Sequence, residues 1–395
     1  MAVPKIRIKG YTDEWKNQFV KSICDISTGK SNTQDKIIDG KYPFYVRSSN
    51  IERSNKYLYD EEAVLTAGDG VGTGKVFHYV NGKYDLHQRV YRMFNFRDID
   101  SKFFFHIFSS KFYERVMSMT AKSSVDSVRY DMISDMEITV PNVITEQEAI
   151  ADYFKSLDSL IEATDKKIAT LKQTKQASLQ SMFPQEGETK PRVRFKGFTD
   201  DWKKVEIGKY GDTYSGLSGK SKDDFGKGNA KYITFLNVLT NAQINTYILE
   251  SVDVKTRERQ NAVQKGDILF NTSSETPEEV GLCSVLLEDI PNVYLNSFCF
   301  GFRPNNPAIN SEFLVYLMRG HIGRSIMKVL AQGATRYNLS KKRLCETLVP
   351  IPTNIDEQKQ IAEYFSNLDK QISIQEQRLE KLKQIKSACL KNMFV

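Results

Sequence analysis

The strongest constraint on this fold is that the chain repeats itself. Pro4–Lys16 reads PKIRIKGYTDEWK and Pro191–Lys203 reads PRVRFKGFTDDWK, an offset of 187 from Pro4 to Pro191 that puts both tryptophans, Trp15 and Trp202, at matching places. A second pair, EQEAIADYFKSLDSLIEATDKKIATLKQTKQASLQSMF from Glu146 and EQKQIAEYFSNLDKQISIQEQRLEKLKQIKSACLKNMF from Glu357, is offset by 211. The difference of 24 places extra residues between the repeated ends of the second half. A period of about 200 residues is far too long for a solenoid and describes duplication of a whole domain with its following helix. The intervening stretches, 17–145 and 204–356, share little. Common ends with divergent middles fit one scaffold holding two readers of different targets; drift after duplication is the alternative.

The second repeated segment carries a heptad seam. In the first copy it runs Ile150, Phe154, Leu157, Ile161, Thr164, Ile168, Leu171, Lys175, Ser178, Met182. In the second it runs Ile361, Phe365, Leu368, Ile372, Gln375, Leu379, Leu382, Lys386, Cys389, Met393. A period of ~3.5 held over several heptads predicts a supercoiled helix pair, whereas the stripe of a core helix would drift. Neither segment contains Gly or Pro, and Pro141, Pro350 and Pro184 punctuate the boundaries. An antiparallel pair is expected, because it lets the duplicated halves face one another across a pseudo-twofold axis. That sense would set Lys175 opposite Gln375 and Lys386 opposite Thr164. The expected fold is α+β: two globular domains with mixed sheets (1–145 and 191–356), two long coiled-coil helices (146–183 and 357–395) and a linker (184–190).

Composition narrows the function by exclusion. A hydrophobic content of 40% supports real cores, and a net charge of +7 permits a polyanionic partner without demanding one. Cys24, Cys283, Cys299, Cys345 and Cys389 are scattered without a CxxC pair, as expected of reduced, mostly buried thiols. No secretory h-region and no apolar run long enough for a membrane span are present, so a cytoplasmic protein is expected. Gly68, Gly70, Gly72, Gly74 and Lys75 suggest a phosphate loop, but Asp69 and Val76 break the required pattern. This reads instead as a glycine-rich loop whose backbone could approach a groove. His78, His87, His106 and His321 are isolated, and no N-P-P or D-P-P tetrapeptide of an amino-methyltransferase occurs. No catalytic residue, metal site or cofactor is expected in the chain itself.

These residues identify a family. The pattern EQ-x-x-I-A-x-Y-F-x-x-L-D occurs at Glu146, Gln147, Ile150, Ala151, Phe154, Leu157 and Asp158, and again at Glu357, Gln358, Ile361, Ala362, Phe365, Leu368 and Asp369. Preceded by Pro141 and Pro350 and closing each half, it resembles the specificity subunits of Type I restriction-modification enzymes over nearly the whole chain. The resemblance implies a non-catalytic DNA reader with one half-site per domain and an unread spacer set by the helices. It also implies double-stranded DNA, two methyltransferase subunits and restriction-translocase subunits as partners. S-adenosylmethionine, ATP and Mg2+ would belong to those partners. A coiled-coil adaptor without DNA specificity is the alternative reading.

Base reading calls for Arg, Lys, Asn, Gln, Ser or Thr on loops or helices, and phosphate contact for cations or backbone amides. In the first domain the candidates are Arg47, Ser48, Ser49, Asn50, Arg53, Thr73, Lys75, His87, Lys122, Ser123 and Arg129. In the second they are Lys220, Lys222, Asn271, Thr272, Ser273, Gln332, Thr335, Arg336, Tyr337 and Asn338. The last stretch of each set precedes the strand that leads to the long helix. The aromatics Phe103, Phe104, Phe105, Phe108, Phe298, Phe300 and Phe302 are expected in the core, the first four on a buried helix and the rest on a strand.

Overall fold

A computed structural model describes residues 4–70, 72–120, 127–331, 333 and 336–394. It divides into two compact units, Met1–Lys166 with Glu376–Val395, and Lys167–Gln375, so each long helix is shared between them.

In the first unit a six-stranded mixed sheet runs in the order Asp25–Thr28, Val90–Phe94, Tyr59–Ala67, Phe77–Leu86, Tyr42–Tyr45, Ile51–Ser54. Its one parallel pair joins Phe77–Leu86 to Tyr42–Tyr45. The run FFFHIFSSKF forms the helix Ser101–Ser118, started by Asp100, whose carboxylate accepts the Phe103 amide at 2.7 Å. Phe103, Phe104, Phe108 and Phe112 are fully buried on it, which makes it the core of the unit; Phe105 is half-buried. In the second unit the equivalent helix, Ser311–Arg319, is started by Asn310, which accepts the Phe313 amide at 2.8 Å. It packs beneath a four-stranded antiparallel sheet ordered Gly211–Ser215, Cys299–Pro304, Ile268–Asn271, Cys283–Val285. A three-stranded sheet, Glu250–Val252, Phe225–Ile233, Val293–Leu295, repeats the antiparallel and parallel pairings that Tyr42–Tyr45 makes with Ile51–Ser54 and Phe77–Leu86 in the first unit. Most of the extra residues lie between Ile233, the equivalent of Tyr45, and Thr272, in a stretch that carries the helix Phe235–Thr240. The offset between equivalent positions rises from 187 at Gly29 and Gly216 to 204 at Gly68 and Thr272.

The repeated ends build the same joint twice. Glu146 takes a bidentate bond from Arg7 (Nε 2.7 Å, Nη2 2.8 Å) and one from Trp15 Nε1 at 3.3 Å. Glu357 takes the same from Arg194 (2.6 and 2.8 Å) and Trp202 (3.3 Å). Gln147 accepts the Asp100 amide and donates to the Pro141 carbonyl; Gln358 accepts the Asn310 amide and donates to the Pro352 carbonyl. The counterpart of Pro141 is therefore Pro352, not Pro350 as the sequence reading had it.

The long helices are Ile144–Ser181 and Ile355–Met393. Within each unit their segments run antiparallel, and no apolar seam position is exposed. In the first unit Lys386 bonds Asp158, Tyr153 meets Cys389 Sγ at 3.4 Å, and Phe394 stacks on Phe154. In the second Lys175 bonds Asp369, Ser178 meets Tyr364 at 2.9 Å, and Phe183 stacks on Phe365. The expected facing of Lys175 with Gln375 and of Lys386 with Thr164 is thus corrected. Each seam lysine reaches the aspartate of the LD pair, where it meets a carboxylate, and Thr164 bonds its own helix at Leu160. The cysteines are free, and all but Cys345 are buried.

Candidate nucleic-acid interface

At one end of the first sheet, four chain segments converge: 46–50, 68–70 with 72–76, 87–89 and 127–129. Backbone bonds hold them together. Gly68 N donates to Arg89 O at 2.8 Å, Val128 N to Gly68 O at 2.7 Å, and His87 N to Tyr45 O at 3.0 Å. The glycines serve this packing. A Cβ on Gly72 would lie 2.4 Å from the Arg47 carbonyl, so the close approach is to the protein's own backbone, and Gly70 and Gly74 take left-handed conformations (φ +78° and +66°). Asp69 lies at the centre, 3.1 Å from Arg47 and 3.8 Å from Arg89. Around it Arg47, Lys75, Arg89 and Arg129 are exposed, with Lys75 over the Tyr113 ring and Arg129 3.2 Å from Asp131.

Of the first-domain candidates, Arg47, Ser48, Ser49, Asn50, Lys75 and Arg129 lie on this rim with exposed side chains. Thr73 and His87 belong to it but face inward. Thr73 donates to Gly70 O at 2.6 Å, and His87 Nδ1 accepts the Arg89 amide at 3.0 Å. Burial, then Arg47 and Arg89, press the His87 pKa below the ordinary histidine value against the pull of Asp69, which favours the neutral acceptor that this bond needs. Arg53 sits at the other end of its hairpin, tying down the Gly40 and Lys41 carbonyls. Lys122 and Ser123 lie outside the described residues.

The second unit gathers segments 216–221, 271–274, 296–298 and 336–341. Thr272 N donates to Phe298 O at 3.0 Å, Leu339 N to Thr272 O at 2.8 Å, and Leu217 N to Leu295 O at 2.7 Å. Two candidate stretches distant in sequence pair directly here, Ser273 opposite Asn338 and Ser274 opposite Tyr337. Lys222, Arg336 and Asn338 are exposed, and Thr272 and Tyr337 half-buried. Asn271 is fully buried, donating to Glu279 O and accepting from Gly281 N, and Ser273 is also buried. The Lys220 side chain, only 4% exposed, bonds the Asp253 carbonyl and the Glu258 carboxylate, so it fastens a loop. Gln332 and Thr335 lie outside the described residues. Sequence reasoning missed three rim residues: Arg89, Lys341, whose Nζ donates to Ser215 Oγ at 2.6 Å, and Phe298. Phe298, expected in the core, is 57% exposed, because the strand begins one residue later, at Cys299.

The Type I restriction modification DNA specificity domain matches the chain twice, over residues 12–173 and 199–384. The chain belongs to this family. It is 23% identical over 371 residues to the Type I restriction enzyme MjaVIII specificity subunit of Methanocaldococcus jannaschii, covering 89% of this chain and 85% of that one. It is 25% identical over 160 residues to the EcoDI specificity subunit of Escherichia coli, a match spanning 40% of this chain and 35% of the relative. Among solved structures it resembles the Type I restriction-modification S subunit of M. genitalium, with a TM-score of 0.66, 17% identity, and coverage of 100% and 99% of the two chains. That likeness bears on the fold, which for this specificity-family member is α+β with two recognition domains and long antiparallel helices. Among the described residues, no helix is long and apolar enough to cross a membrane and no His/Cys/Asp/Glu group could hold a metal.

Proposed function

We propose that this chain is the DNA-reading subunit of a Type I restriction-modification complex, and that each rim reads one half-site of a bipartite target. The observation that carries this reading is a shared backbone frame with unlike rims. Gly68–Arg89 and Val128–Gly68 in the first unit repeat as Thr272–Phe298 and Leu339–Thr272 in the second. The first rim presents Arg47, Lys75, Arg89 and Arg129; the second presents Thr272, Phe298, Asn338 and Lys341. Exposed cations supply salt-dependent affinity for phosphates, and side chains that differ on a common frame supply two specificities. Asp69 holds Arg47 and Arg89 in place at an exposed site, where DNA phosphates can compete for them. The chain itself carries no catalytic group in this proposal. It docks two methyltransferase subunits, restriction-translocase subunits join the complex, and S-adenosylmethionine, ATP and Mg2+ are used by those partners.

The test is methylome sequencing of a host expressing the chain with its cognate methyltransferase subunit, beside a host lacking the chain. A bipartite methyladenine motif present only with the chain is expected, and exchanging residues 17–145 should change one half-site alone. Identical methylomes, with the complex shown to assemble, would refute the proposal in favour of an adaptor.

A further inference from the structure

The two rims share one position where their side chains differ most. In the first unit Gly68 N bonds Arg89 O at 2.8 Å and Val90 N bonds His87 O at 2.9 Å. In the second Thr272 N bonds Phe298 O at 3.0 Å and Cys299 N bonds Asn296 O at 3.1 Å. A glycine packs against the turn in both: a Cβ on Gly29 would lie 2.2 Å from Leu86 O, and one on Gly216 2.2 Å from Asn296 O. Arg89 and Phe298 are therefore the same residue of the same turn, and both point outward. The Arg89 side chain is 67% exposed, with Nε 3.8 Å from Asp69, within ion-pair reach but beyond a hydrogen bond. Phe298 sits on a backbone fixed by the Asn296 side chain, which accepts its amide at 2.8 Å.

A single exposed apolar side chain needs no special explanation. Here, though, the phenyl ring occupies the place that a guanidinium takes in the sister domain, beside strand segments that pair Ser273 with Asn338. Arginine is suited to the O6 and N7 acceptors of guanine, whereas a phenyl ring is suited to the 5-methyl group of thymine. We propose that Arg89 and Phe298 are equivalent base-contacting, specificity-determining residues. Arg89 donates to a guanine edge in the first half-site and Phe298 packs on a thymine methyl in the second. This rests on the DNA-reading function proposed above.

The experiment uses the full chain assembled with its cognate methyltransferase subunit, as wild type, Arg89→Ala and Phe298→Ala. A wild-type methylome without a chain-dependent motif would remove the premise itself. Given that motif, Phe298→Ala should relax one position of the second half-site, with discrimination there falling about tenfold and the first half-site intact. Arg89→Ala should relax one position of the first half-site only. On duplex oligonucleotides, replacing the relevant thymine by deoxyuridine should slow methylation by the wild type and leave Phe298→Ala indifferent. Full discrimination at every second-half-site position in Phe298→Ala overturns the proposal, as does equal sensitivity of both proteins to deoxyuridine. Should the alanine variant fail to assemble, Phe298→Gln, similar in reach but polar, carries the same expectations.

Discussion

The joint at Glu357 allows a stability prediction with a definite size. Its carboxylate is 1% exposed, held by two charged bonds from Arg194 and one from Trp202 Nε1, and the Arg194 side chain is 12% exposed. Bonding to Glu357 raises the Arg194 pKa above its ordinary value, so the guanidinium stays charged throughout the working range. Arg194→Met removes both charged bonds and leaves a carboxylate buried with one weak donor. Breaking such a pair from one side costs about 3–5 kcal/mol, and the slight opening at Arg194 admits water, which favours about 3 kcal/mol. For a unit of this size that corresponds to a fall of about 6–12 °C in the melting temperature of the second unit. The assay is thermal unfolding of the full chain in a Trp15→Phe background, where Trp202 fluorescence reports on this joint. Adding Glu357→Gln to Arg194→Met removes the stranded charge while keeping an acceptor for Trp202, so the double variant should recover part of the loss. The reasoning fails if Arg194→Met melts within about 1 kcal/mol of the parent, or if the double variant is less stable than the single one.

Three further expectations follow from the same contacts. Burial presses His106 down to about 4, with Lys386 adding to the effect and Asp158 opposing it; the unfolded chain then binds the extra proton below ~6.5, and about 2 kcal/mol is lost between pH 7 and pH 5. His106→Tyr, copying Tyr316, which donates to Asp369 at 3.0 Å, should remove that loss from pH-dependent melts of the first unit; identical pH slopes would refute it. A fragment of residues 1–190 lacks Met393 and Phe394, which complete the first core, and bares Met182 and Phe183, which complete the second. It should self-associate in sedimentation experiments, and a stable monomer would contradict the shared core. One heptad inserted in each long helix near Lys166 and Gln375, where the units divide, leaves each unit's own contacts in place. It should lengthen the methylated spacer by roughly three base pairs without altering either half-site, and an unchanged spacer would reject the helices as its measure.

Much of this was legible in the sequence, for reasons that differ from element to element. The duplication and the long helices announce themselves because identity and heptad period are properties of a single segment. The stagger between the helices is not such a property. Period alone cannot tell Lys175 facing Gln375 from Lys175 reaching Asp369, because both arrangements keep the apolar stripe inside. The ion pair of Arg7 with Glu146 joins residues 139 apart and leaves no local signal. Among the rim residues, polar type predicted location better than orientation. RSSN, the glycine loop and Arg129 do converge, but Thr73, His87, Asn271 and Lys220 spend their polar groups on neighbouring backbone or carboxylates. Phe298 was misplaced by the alternation of FCFGF, which holds from Cys299 onward but not through the preceding turn.

The poor likeness between 17–145 and 204–356 has a physical basis in the same frame. Most bonds that position each rim run from amide to carbonyl, and the demand on side chains is confined to a few places: a small residue at Gly29, Gly216 and Gly72, and an acceptor at His87 or Asn296 for the amide of the presented residue. Rim residues are therefore free to differ while the turn that presents them stays put, as Arg89 and Phe298 show. The added chain after Ile233 obeys the same logic. It includes the helix Phe235–Thr240 and packs Val238 and Val263 onto the apolar cluster of Ile233 and Leu295, so it can be accommodated without repacking the core beneath Phe313. Side chains instead make the joint at the repeated ends, where Trp15, Glu146 and Gln147 form the same bonds as Trp202, Glu357 and Gln358. A scaffold that fixes its joints by side chains and its rims by backbone leaves each reader open to change while the joint between reader and helix keeps its geometry.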